Sequence, residues 1–91
     1  MKIIRRRYII SGRVQGVGFR YRAFYAASEF NVNGWVKNCD DGDVEMEVEG
    51  KEEDIDKMLL AIEKGRFVRI ENIRSKEIPV MNEHSFEIKG Y

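Results

Sequence analysis

The stretch "DVEMEVEGKEEDIDKMLLAIEK", from Asp43 to Lys64, changes its hydrophobic period partway along. Up to Gly50, Val44, Met46 and Val48 alternate with Glu45, Glu47 and Glu49, the two-residue period of a strand that buries one face. Beyond it, Ile55, Met58, Leu59 and Ile62 recur at i, i+3, i+4 and i+7. Acids open that first turn and Lys64-Gly65 closes the last, which marks a helix with one apolar stripe. A strand and a helix that each carry a single apolar face must lie against another layer, so the fold is a layered mixture of the two. The alternation also predicts that the three glutamates line a solvated strand face.

The rest of the chain extends this pattern. Ile4, Tyr8 and Ile10 share one alternation register and Ile3 and Ile9 the other, which predicts a strand over residues 3–11 covered on one face and partly on the second. From Val17 or Gly18 to Phe30 no Gly or Pro intervenes after the start, and Phe19, Ala23, Ala26, Ala27 and Phe30 recur at helical spacing. "WVKNC" and "DVEMEVEG" read as hairpin arms joined by Asp41-Gly42. Phe67 to about Ile78 reads as a fourth strand with a ragged start, Pro79 to Glu83 as a turn, and Phe86 to Ile88 as a short terminal strand. The order is βαββαβ plus that terminal strand. With right-handed crossovers it gives an α+β, ferredoxin-like split βαβ sandwich, two helices on one face of an antiparallel sheet ordered 4-1-3-2. In that topology the first and second strands run the same way, so Asn38 is carried toward the loop that follows the first strand.

Ninety-one residues suit one domain, spanning 1–91, and 43% hydrophobic with 35% charged residues suits a soluble globule. The uncharged stretches fall far short of the roughly 20 apolar residues of a membrane span, and the start lacks a secretory core, so a cytoplasmic location with no membrane partner is expected. Cys39 and His84 are single, which leaves no internal disulfide and no Cys/His metal constellation. Residues 1–37 carry eight Lys/Arg and one acid (8 − 1 = +7), residues 38–91 eight Lys/Arg and fifteen acids (8 − 15 = −7). The split marks either a basic surface for an anionic partner or two halves that neutralise each other on folding.

Between the first strand and first helix lies "GRVQGVGFR", Gly12 to Arg20, with three glycines, two arginines and no acid. The first N–H groups of a helix lack partners and carry partial positive charge. Gly16 and Gly18 let the preceding turn add further N–H groups to the same concavity, and Arg20 adds a planar fork of donors suited to phosphate oxygens. The same residues also suit a simple tight β-to-α turn. No Gly-Lys-Ser/Thr follows, and the spacing is not that of a dinucleotide fingerprint.

"GRVQGVGFR" at 12–20, followed after one helix by "GWVKNCDDGDVE" at 34–45, strongly resembles the two signatures of acylphosphatases, and length and element order agree over nearly the whole chain. The resemblance implies an acylphosphate phosphohydrolase that splits the carboxyl–phosphate bond by direct water attack. In that reading Arg20 grips the phosphoryl group, Asn38 orients the water, and backbone donors from Gln15, Gly16, Val17, Gly18 and Phe19 complete the cradle. The substrate is a small-molecule acyl phosphate, with no cofactor, metal or nucleic acid, and a monomer is expected. The chain departs from the family in reading "KGRFVRI" after the second helix and Asn31 and Asn33 before Gly34-Trp35. Both changes lie outside the signatures and bear on local packing.

Other residues are read more plainly. A cysteine phosphatase needs arginine six positions after its nucleophile, and six after Cys39 is Glu45, so Cys39 is read as a small, partly buried strand residue. His84 is given a surface or turn position, and Trp35, Phe19, Phe24, Tyr25 and Phe30 the core or its rim. Arg5, Arg6 and Arg7 are read as a solvated strand segment carrying ion pairs. The alternative function is a non-catalytic phosphate-, anion- or RNA-binding module of the same fold. RNA-recognition domains stack bases on strand aromatics, whereas the third strand here has none and carries three glutamates.

Overall fold

In the computed structural model, which describes residues 2–90, the elements run β1 (Ile3–Arg13), α1 (Phe19–Phe30), β2 (Asn33–Asn38), β3 (Val44–Lys51), α2 (Glu52–Glu63), β4 (Arg69–Ile78) and β5 (Phe86–Lys89). The sheet order is β4-β1-β3-β2-β5, and the first four strands pair antiparallel. β5 joins the outer edge of β2 in parallel, so the five-stranded sheet is mixed. The expected 4-1-3-2 core is present, and the terminal strand extends it.

Side chains alternate across each strand, so one face of the sheet gathers Ile4, Tyr8, Ile10, Val36, Val44, Met46 and Val48, all buried. Against them lie Phe19, Ala23, Ala26 and Ala27 of α1 and Ile55, Met58 and Ile62 of α2. The alanines let α1 approach the strands closely, and each large buried aliphatic side chain contributes about 1.5–3 kcal/mol. This layer holds the loop after β1 and the end of β2 at the same end of the sheet.

The opposite face is polar, and there two expectations need correction. Arg5 is fully buried and Glu49 is 5% exposed, whereas a solvated arginine run and a solvated glutamate face were expected. The cause is the segment from Pro79 to Ser85, which must cross the sheet from the β4 edge to bring β5 beside β2. On its way the backbone N–H groups of Met81 and Glu83 donate to the two Glu49 carboxylate oxygens at 2.7 and 2.8 Å. Beneath this strap Arg5 donates to Glu47 at 2.9 Å, and to Glu49 and Glu83 at 3.3 Å each. Arg7 keeps the expected solvated character and pairs with Glu45, while Arg6 turns to the other face and pairs with Glu52 and Asp56 of α2.

Every ion pair among the described residues joins a cation before residue 38 to an acid beyond residue 44. The two oppositely charged halves neutralise each other to that extent. Phe19 is core and Phe30 packs against it, whereas Tyr25 is 67% exposed and Phe24 is also exposed, because they sit on the outward side of α1. Trp35 lies on the polar face between Lys37 and Lys89, whose ammonium groups stand 5.9 and 4.7 Å from its ring centre. The second helix ends in a tight turn in which Gly65 accepts from Val68, so β4 begins at Arg69 and the expected strand residue Phe67 is an exposed turn residue.

Candidate active site

β1 leaves the sheet through a bulge at Ser11/Gly12, and Val14 then turns into the core. Within the loop, side chains sort by type. Val17 and Phe19 pack inward, while Gly16 and Gly18 stand exposed with φ of 72° and 80°. These left-handed positions are strained for any residue with a Cβ, and the space beside them is open. The chain is therefore pinned by its apolar side chains and presents backbone outward between them.

Gly18 is also the N-cap of α1, and no side chain caps that helix. The first intrahelical bond runs from Arg22 N–H to Gly18 O at 3.0 Å, which leaves the N–H groups of Phe19, Arg20 and Tyr21 without helical acceptors. No acid lies in this first turn. Such an end carries about half a positive charge and suits an anion.

Gln15 fixes this loop to the β2–β3 hairpin. Its side-chain amide donates to Cys39 O at 2.7 Å and to Asp43 O at 2.8 Å, the two sides of the Asp41-Gly42 turn. The hairpin is thereby locked against the loop, and Asn38 at the end of β2 reaches the same concavity. Gly16, Gly18, Phe19, Arg20 and Asn38 line one cavity of about 220 Å³ with Val14 and Tyr21. Of the residues expected at the site, Gln15 ties its side chain to the hairpin and Val17 packs its side chain against the core, so what either can offer the cavity is its backbone.

One atom stands out. Asn38 Oδ1 is buried and has no hydrogen-bond partner among the described residues. An unsatisfied buried acceptor costs about 1–3 kcal/mol, so a small donor is called for in the cavity. Arg20, half-buried on the same cavity, makes no ion pair among the described residues. The unpaired start of α1, the Arg20 guanidinium and Asn38 thus meet at one cavity, an arrangement whose polarity suits an anion.

The family model for acylphosphatases matches residues 6–88. The chain belongs to the acylphosphatase family. It is 50% identical over 86 residues to an acylphosphatase of Clostridium acetobutylicum, covering 90% of this chain and 94% of that protein. The crystal structure of acylphosphatase from Bacillus subtilis superposes with a TM-score of 0.87 at 39% identity, covering 93% and 97% of the two chains. The match to full-length HypF in its phosphate- and nucleotide-bound form, with a TM-score of 0.85 and 33% identity, covers 98% of this chain and 12% of that one. The protein is thus an acylphosphatase, a hydrolase of small acyl phosphates, and the alternative of a non-catalytic binding module is not favoured.

Within this acylphosphatase, Cys39 lies just beyond β2, half-buried. Burial first, then the neighbouring acids Glu45 and Asp41, push its thiol above its ordinary value, the wrong direction for a nucleophile. His84 is exposed near the start of β5. Among the described residues no three His, Cys, Asp or Glu side chains are grouped to hold a metal ion, and no helix is long and apolar enough to cross a membrane. Sequence reasoning missed Tyr21, which follows Arg20 and lines the cavity although 63% exposed. Its place in the first turn of α1, beside Arg20, was the available signal.

Proposed function

We propose that the cavity between the 15–19 loop and Asn38 is where this acylphosphatase binds and transfers the phosphoryl group, with Arg20 and Asn38 as its catalytic residues. The observation that carries the reading is the buried, unpartnered Oδ1 of Asn38, a residue that lines one cavity with Gly16, Gly18 and Arg20. Backbone N–H groups from Gln15 to Phe19 and the Arg20 fork surround the three non-bridging phosphoryl oxygens. Asn38 Oδ1 accepts a hydrogen bond from a water and holds its oxygen in line with the bond to be broken.

The water oxygen attacks phosphorus as the phosphorus–oxygen bond to the acyl group breaks. The bonding pair stays on the acyl oxygen, which leaves as carboxylate, and the water proton passes to the phosphate. A carboxylate has a conjugate-acid pKa of about 4, so departure needs no general acid. The transfer therefore asks for positioning and for positive potential around the spreading charge, which the loop and Arg20 supply. On the same reading residues 1–91 form one monomeric domain, working in the cytoplasm on small acyl phosphates without metal, nucleic acid or membrane.

Hydrolysis of benzoyl phosphate near neutral pH in excess chelator tests both parts. Wild-type turnover persists in chelator, and Arg20→Ala lowers kcat/KM at least about 10²- to 10³-fold, the typical cost of a lost oxyanion donor. An active Arg20→Ala variant would remove the site assignment, and chelator-sensitive turnover the metal-free reaction.

A further inference from the structure

The phosphoryl site leaves open what touches the other half of the substrate. The acyl carbon lies one bridging oxygen from phosphorus, so the acyl group starts at the mouth of the same cavity. Among the lining residues, Val14 and Phe19 are each 1% exposed and belong to the core. Gly16 and Gly18 present no side chain, and Arg20 and Asn38 are polar. Tyr21 alone among them places a large apolar side chain at the mouth, 63% exposed.

The helix extends that surface. Phe24 and Tyr25 follow Tyr21 at i+3 and i+4, on the same side of α1, and both are exposed. Their rings meet edge to face with centres 5.6 Å apart. The outward side of α1 therefore carries an aromatic strip that begins at the cavity. Tyrosine suits such a mouth because its ring is a rigid apolar contact whose hydroxyl stays in water.

Resting on the reading of the cavity as the phosphoryl site, we infer that Tyr21 is the acyl-group platform of this enzyme and favours acyl phosphates of aromatic or extended apolar acids over short ones. The ring packs against the part of the substrate that leaves as carboxylate. It takes no part in holding the phosphate, which the loop and Arg20 grip without it. Tyr21 is thus a specificity-determining residue.

The test compares kcat/KM for benzoyl phosphate and acetyl phosphate in wild type, Tyr21→Ala and Tyr21→Phe, with inorganic phosphate as competitive inhibitor. The benzoyl-to-acetyl ratio should fall about three- to tenfold in Tyr21→Ala, the range of one aromatic contact, and hold in Tyr21→Phe. The inhibition constant for inorganic phosphate should move less than about twofold in both variants, within the spread of a remote surface change. An unchanged ratio in Tyr21→Ala, or an equal fall in Tyr21→Phe, would overturn the platform. Weakened phosphate inhibition matching the loss of turnover would assign Tyr21 to phosphate binding instead. Arg20→Ala, measured alongside, separates the two readings: if it retains activity on both substrates the cavity is not the phosphoryl site, and if it loses both while the Tyr21→Ala ratio is unmoved, only the platform falls.

Discussion

Toward its two ends the sheet holds two concentrations of polar side chains, about 17 Å apart along β1, and they are finished to different degrees. Around Arg5 every charge is answered. The guanidinium meets three carboxylates, and Glu49 also receives the N–H groups of Met81 and Glu83. Around Asn38 the answers are missing: its Oδ1 has no partner, α1 has no capping side chain, and Arg20 makes no ion pair among the described residues. Both ends bury polar atoms. One end pairs its polar groups with one another, and the other leaves them open, as the proposed phosphoryl site requires.

The contrast predicts opposite responses to truncation. Arg5→Ala should destabilise the fold by about 3–5 kcal/mol, since Glu49 and Glu47 are left beneath the strap without their cation. Chemical denaturation measures this, and kcat/KM at a temperature where the variant stays folded should match wild type. A variant as stable as wild type would mean that the buried network is energetically idle. Asn38→Ala should do the reverse, lowering kcat about 10²-fold through a misplaced water while stability holds or rises by about 1 kcal/mol as an unsatisfied acceptor is removed. Phosphate inhibition should change far less than kcat, and equal, mild effects on both would sink the role given to Asn38.

A smaller effect distinguishes the ends by pH. Burial alone would push the Glu49 carboxyl up, yet the Met81 and Glu83 N–H groups and Arg5 outweigh it and hold the group below its ordinary 4.5. A carboxyl depressed in the folded state contributes stability that is fully present above the unfolded value and lost as pH falls through the folded one. The melting temperature of wild type should therefore drop below about pH 4.5 more steeply than that of Glu49→Gln, with the gap between them closing toward acid. Parallel acid limbs would show that Glu49 titrates alike in both states.

What could be read from the chain beforehand follows the range of the interactions involved. Periodicity is local, so β3, α2 and the βαββαβ order were legible in residues such as Val44, Met46 and Ile55. The turn before α1 was legible because Gly16 and Gly18 must serve a backbone that other residues resist. The burial of Arg5 and Glu49 was not, because it depends on the Pro79–Ser85 segment crossing three intervening strands to set β5 beside β2. Nothing within a few residues of Arg5 announces that cover. The tie from Gln15 to the hairpin, spanning 24 and 28 residues, was hidden for the same reason.

The sheet order also gives the Arg5-Arg6-Arg7 run a second meaning, in time. In a chain made from its amino end, β1, β2 and β3 can pair before β4 and β5 exist, and in the order β4-β1-β3-β2-β5 that three-stranded intermediate has β1 and β2 as bare edges. A bare edge invites a neighbouring chain to add a strand, and charge on it is the usual deterrent. Three consecutive arginines on β1 supply that deterrent while the edge is open, and the last strands then cover it and put Arg5 under the strap. An arginine concealed in the finished protein would thus stand uncovered, and charged, on the unfinished one.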